Sequence, residues 1–289
     1  MKSISPDAGI AYIRLSVNDL KKSEAFYGAL LGFREVARTD SEVALSPTGQ
    51  LPFHIHLKEN PEAERPLRGS AGLFHVAIRF SDRKELAKAL LRLIENRYPI
   101  QGASDHAVSE AIYLADSEGN GVELYCDRPR SEWHRSNGEI HMVTEPLDVE
   151  GLLQAADGKW DGIHPQTDIG HIHLSVTSLA KAEEFYVKNI GFGVTTRSYP
   201  GALFLAAGDY HHHIGTNVWA GRNGPARQEN TACILAFGVS LPKQEWEAMR
   251  QRLSESGFSY PATSIFGMEP ILRLHDFDGI GVEFIPAAM

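Results

Sequence analysis

Four stretches of the chain alternate apolar and polar residues with a period of two: IAYIRLSV from Ile10, FHVAIRF from Phe74, HIHLSV from His171 and ILAFGVS from Ile234. Such alternation predicts strands, because successive side chains point to opposite faces of a sheet. Each stretch is followed by a segment with the apolar spacing of an amphipathic helix: LKKSEAFYGALL, RKELAKALLRLI, LAKAEEFYVKNI and PKQEWEAMRQRL. Short β-rich segments punctuated by Gly, Pro, Asp and Asn then complete each unit. The pattern predicts four βαβββ modules, running roughly over 10–58, 72–125, 170–219 and 232–286.

The modules are related by duplication. Leu15-Ser16-Val17 matches Leu174-Ser175-Val176, Phe26-Tyr27 matches Phe185-Tyr186, Gly32-Phe33 matches Gly191-Phe192, and His54 matches His213, all 159 positions apart. Asp116, Gly119, Gly121 and Glu123 match Asp276, Gly279, Gly281 and Glu283 at a spacing of 160. The expected organisation is therefore a first module pair over 9–126, a polar linker over 127–168 and a second module pair over 169–287. A single module leaves one sheet face uncovered, so the modules are expected to pair into two cupped half-barrels of the α+β class.

Composition narrows the functional classes. The 289 residues carry a net charge of −9, with 43% apolar and 22% charged residues and no run of Lys or Arg. Nucleic acid and acidic membrane surfaces need clustered positive charge, so neither is an expected partner. No apolar stretch approaches a membrane span, and the N-terminal segment lacks the apolar core of a signal peptide. The two cysteines, Cys126 and Cys233, cannot make a disulfide framework, which points to a cytoplasmic protein. A homo-oligomer is compatible with all of this.

Histidine is where chemistry enters. One first-strand position holds Tyr12, His75, His171 and Leu235 across the four modules, and one last-strand position holds His54, Glu123, His213 and Glu283. A lone strand histidine is usually structural, but recurrence at matched positions is not expected of structural residues. If modules two and three share a cup, it gathers His75, Glu123, His171 and His213. Sequential pairing would divide that set between two incomplete cups. The two-plus-three pairing is favoured, because it leaves His54 and Glu283 as remnants of a second, degenerate cup. Two His and one carboxylate form a facial triad that suits non-haem Fe(II), with Mn(II) accommodated by the same donors. The expected metal ligands are His75, His171 and Glu123.

This arrangement resembles the vicinal-oxygen-chelate superfamily of glyoxalases, fosfomycin-resistance proteins and extradiol dioxygenases. His106, Ile112-Tyr113, Asp116, Gly119 and Glu123 look like the extradiol signature, with Ser104 and Ser117 departing from it. DHAVSEAIYLADSEGNGVELYCDRPRSEW and YHHHIGTNVWAGRN look like the Bacillus-type catechol-2,3-dioxygenase subgroup. The resemblance implies a catechol-type substrate, O2 as co-substrate and extradiol ring opening to a semialdehyde. It implies His213 as the acid–base residue or a fourth ligand, Tyr113 as a hydrogen-bonding partner of substrate, and His106 as support for the same wall. Alternation places His211 beside His213 and His212 on the other face, and Arg128 and Arg222 lie on loops placed to close the cup. A glyoxalase-type isomerase, needing four protein ligands, and a non-catalytic aromatic-binding protein are the competing readings.

Overall fold

The computed structural model describes residues 3–220, 223–228, 230–255 and 263–287. Arg222 lies outside the described residues. Two large sheets carry the fold. In one, module four contributes Thr263–Ile265, Met268–His275, Gly281–Pro286 and Ile234–Leu241, followed by Gly9–Val17, Ile55–Glu59, Glu42–Ser46 and Arg34–Arg38 of module one. In the other, the linker strand Glu145–Pro146 precedes Gly102–Asp105, Ser109–Ala115, Gly121–Asp127 and Gly72–Arg79 of module two. Asp168–Ser175, Ile214–Asn217, Ala202–Ala206 and Gly193–Thr196 of module three complete that sheet. Each sheet curls into a cupped half-barrel. Modules two and three thus share one cup, and modules one and four the other, as the distribution of His and Glu suggested.

The strands alternate as the sequence requires. Ile13, Leu15, Val17, Val76, Ile78, Ile172 and Leu174 join one hydrophobic core with the helices. The intervening positions, including His75, His171 and His173, line a cavity inside the cup. Helix Arg83–Glu95 begins at Asp82, whose carboxylate accepts from the N–H groups of Lys84 and Glu85, and buries Leu86, Ala87, Ala89, Leu90 and Leu93. Each buried leucine contributes about 1.5–3 kcal/mol, so this face dominates the helix's attachment. In modules one and three the α-helical turn passes into a π-helical segment, Ala25–Leu30 and Glu183–Ile190. Tyr27 in the first donates to Asp116, and Tyr186 in the second donates to Asp276. The repeated aspartates therefore tie each odd module to the even module that follows it. Asp116 also accepts from the N–H groups of Glu118 and Asn120, which makes it the organiser of its turn.

The seam of the cup shared by modules two and three is the antiparallel pair Gly72–Arg79 with Asp168–Ser175, in which His173 faces His75. Arg79 pins its end through a two-pronged ion pair with Asp168, at 3.0 and 2.6 Å. A register shift between Ile169 and His171 accommodates Gly170, where an added Cβ would lie 1.7 Å from the Tyr125 hydroxyl. That hydroxyl is buried and bonded to Tyr210 at 2.7 Å. Gly170→Ala must displace it, and overpacking plus a lost buried hydrogen bond predicts a loss of about 2–4 kcal/mol. A reduced urea midpoint with unchanged m-value checks this.

Candidate metal centre and cavity

The strand ladders decide which residues match between modules. Ala77 pairs with Glu123, His173 with Gly215, Arg14 with His56 and Gly238 with Glu283. The counterparts of Glu123 are thus Gly215, His56 and Glu283, and the counterpart of His75 in module four is Ala236. His54, His213 and Leu235, matched to these positions by sequence spacing, are out of register. Spacing relates modules one and three to each other, but hydrogen-bonded register is needed for the first strands of modules two and four and for relating the two kinds of module.

His75, Glu123 and His171 come together. Their potential donor atoms lie within 4.8 Å of one another and all three residues are buried. Glu123 Oε2 is 2.9 Å from His75 Nε2 and 3.3 Å from His171 Nε2. His75 Nε2, despite that distance, has no hydrogen-bond partner, so its ring is not aimed along a bond to the carboxylate. Two imidazole nitrogens and a carboxylate oxygen turned into one small space fit a divalent cation with N2O ligation. Burial opposes ionisation of Glu123, but His171 and His75 hold its carboxyl well below the usual range. Burial pushes His171 down to about 4. Neutral imidazole beside ionised carboxylate is the protonation state that metal binding requires.

The ligand set opens into a cavity of about 320 Å3. Phe74, Tyr199, Phe204 and Trp219 supply aromatic walls, and no lysine or arginine lines it among the described residues. Tyr113 and His106 sit together on one wall. His106 Nδ1 lies 2.6 Å from the Val143 carbonyl, which can only accept, so that nitrogen carries the proton. His106 Nε2 then accepts from the Tyr113 hydroxyl at 2.6 Å. Burial, with Glu123 nearby, raises the Tyr113 pKa well above its ordinary value and keeps the phenol protonated.

His213 does not line the cavity. Its Nδ1 accepts from the Ala207 N–H, its ring packs 4.8 Å from Tyr210, and burial pushes its pKa down to about 3. The module-three strand begins only at Ile214, so the alternation extrapolated back through His211 does not hold across the preceding turn. His212 takes the place on the wall instead. Behind it stands a chain of contacts: His211 Nε2 lies 2.9 Å from Asp127 Oδ1, and His211 Nδ1 lies 2.7 Å from His212 Nδ1. The carboxylate accepts from His211 Nε2–H, which leaves His211 Nδ1 to accept from His212 Nδ1–H. Nε2 of His212 is left with its lone pair. Burial, with His171 and His211 adjacent, holds the His212 ring neutral by lowering its pKa well below normal.

Sequence reasoning missed other lining residues. Met142, Val143 and Thr144 come from the linker, whose polar composition gave no hint of a cavity wall, and Thr144 bonds Tyr199 at 2.8 Å. Phe74 and Trp219 were legible only as aromatic residues next to the candidate strands. Arg128, expected near the mouth, instead forms an ion pair with Asp105.

The second cup has taken a different course. Glu283, fully buried, accepts from Tyr12 at 2.6 Å, Arg14 at 2.7 Å and Arg273 at 2.6 Å. Arg14 also donates to His56, which bonds Glu42. Guanidinium groups occupy the neighbourhood that imidazoles hold in the other cup.

Comparison with known proteins places the chain. The family model for the Glyoxalase/Bleomycin resistance protein/Dioxygenase superfamily matches residues 9–124, which span modules one and two. A catechol-2,3-dioxygenase of Bacillus subtilis (strain 168) is 44% identical over 269 residues, covering 91% of this chain and 93% of its own. Among solved structures, a Bacillus subtilis protein superposes with a TM-score of 0.67 at 15% identity, covering 99% of this chain and 86% of that one. Glyoxalase I from Zea mays superposes at 0.56 and 15% identity, covering 97% and 92%, so the fold is shared even where the sequence is not. With near-complete coverage by a 44% identical relative and the same double-cupped architecture, this chain belongs to the glyoxalase/bleomycin resistance protein/dioxygenase superfamily.

Proposed function

We propose that the protein is an extradiol dioxygenase that opens the ring of a catechol with O2, using Fe(II) held by His75, His171 and Glu123. The observation that carries this reading is Gly215. It stands where a fourth protein ligand would stand by the symmetry of the cup, and an added Cβ would meet the His173 ring at 2.9 Å. A glyoxalase-type isomerase needs four protein ligands, whereas three leave room for a chelating substrate and O2. Identity to a named catechol-2,3-dioxygenase supports the same choice.

Bound Fe(II) supplies a Lewis-acidic centre with open positions where substrate oxygens and O2 are brought together. The chain's own residues orient and exclude. Phe74, Phe204 and Trp219 enclose an aromatic ring and keep water from it, and the lack of lysine or arginine in the lining among the described residues favours an uncharged catechol. His212 accepts a substrate hydroxyl proton at Nε2, while His211 and Asp127 fix its tautomer. Tyr113 gives its one hydroxyl proton to His106 Nε2, which leaves the phenol oxygen as an acceptor for a substrate hydroxyl, and His106 is itself held by Val143.

The direct test is anaerobic Fe(II) loading followed by catechol and air-saturated buffer. A yellow ring-opened semialdehyde with equimolar O2 uptake is expected; an iron-loaded protein that yields no colour with several catechols would overturn the reading. Glu123→Gln should reduce bound metal from one per chain to near zero by elemental analysis. Glu283→Gln should keep full metal occupancy while lowering the melting temperature, because Arg14 and Arg273 lose their shared anionic partner. His212→Gln should lower kcat by about 10²–10⁴-fold with metal retained, the range of a lost general base. His213→Gln should change kcat little; a collapse of kcat there, with His212→Gln active, would restore His213 to the role expected from sequence.

A further inference from the structure

We propose that the cup of modules one and four is a second binding site, one that takes a small oxyanion, carboxylate or phosphate, on the guanidinium groups of Arg14, Arg227 and Arg273. A cavity of about 520 Å3 opens there, lined by these three arginines together with Lys58, His275 and Glu59. It occupies the same place in its cup as the metal-bearing cavity does in the other. By strand register Arg14 corresponds to His173, Leu235 to Phe74, Ala236 to His75 and Arg273 to Tyr113, and each member of those pairs lines its own cavity. The duplicated fold has kept the hollow and exchanged imidazole and phenol for guanidinium.

The manner in which the arginines are held argues for a ligand. Each is anchored through its inner nitrogen. Arg14 Nε donates to His56 and its Nη1 to Glu283; Arg273 Nε donates to Glu283; Arg227 Nε donates to the Ile234 carbonyl. Neither terminal amine of Arg273 or Arg227, nor Arg14 Nη2, has a hydrogen-bond partner among the described residues. A guanidinium carries five N–H donors, and one fixed at Nε presents its remaining fork in a set direction. Forks of this kind match the paired oxygens of carboxylate and phosphate, with short charge-assisted bonds. Arg14 and Arg273 share the single carboxylate of Glu283, so two cations meet one anion on this strand face. The acid in the lining, Glu59, is turned to the N–H of Leu20, and Lys58 pairs with Glu42 at the rim.

Calorimetric titration of the full-length, metal-loaded protein at constant ionic strength tests the site, with inorganic phosphate and succinate as separate probes. One saturable site per chain is expected. Arg227→Gln, which leaves Glu283 and its partners untouched, and Arg273→Gln should each weaken it by at least about tenfold, the loss of a charge-assisted fork. Tighter phosphate than succinate would identify a phosphate-bearing ligand, and the reverse order a carboxylate. Absence of saturable binding by both probes would overturn the proposal. So would binding of unchanged strength in both variants, because it would place the anion elsewhere, at the metal included.

Discussion

The register of the antiparallel seam between Gly72–Arg79 and Asp168–Ser175 is the constraint on which the site depends. His75 belongs to one half of the duplication and His171 to the other, and no local structure could bring them together. The seam does so because Arg79 and Asp168 lock its end and because Gly170 absorbs an irregularity just before His171. A slip of one residue would turn His171 and His173 toward the helices and Ile172 into the cup, since side chains alternate along a strand. The apolar alternation of Val76, Ile78, Ile172 and Leu174 makes that slip costly. Core packing thus fixes the positions of the proposed metal ligands.

The two cups show two solutions to one electrostatic problem. Glu123 and Glu283 occupy matched positions, and both are buried carboxylates whose oxygens must find partners inside the fold. In one cup the partners are the imidazoles of His75 and His171, whose nitrogens could bind a cation in common with the carboxylate. In the other they are guanidinium groups, which are permanently charged and satisfy the carboxylate without a metal. By register Ala236 stands where His75 does, and Arg14 and Arg273 stand where His173 and Tyr113 do, so the second cup keeps the carboxylate and changes its partners.

Segments outside the repeats finish the site. The linker brings Met142, Val143 and Thr144 against the cup, and the Val143 carbonyl sets the tautomer of His106 and hence the direction of the Tyr113 proton. A turn unmatched by any periodicity sets His212 on the opposite wall, with Asp127 and His211 behind it. Asp127 also receives Tyr210 and Arg79, so the support for His212 is joined to the seam itself.

By itself the sequence determined the module count, the duplication, the strands and helices, and it singled out His75, Glu123 and His171, which the fold brings together, because strand periodicity and repeated spacing are read directly along the chain. It favoured the pairing of modules two and three through the uneven distribution of His and Glu. Tertiary structure alone decided the register between unlike modules, which replaced His213 and His54 with Gly215 and His56 at the matched positions. It also chose His212 over His213, since a turn breaks the alternation on which the sequence argument relied. The linker's part in the cavity and the chain from Asp127 to His212 were likewise beyond reach. Each rests on hydrogen bonds between residues far apart in the chain, and no local pattern encodes which distant donor will meet which acceptor.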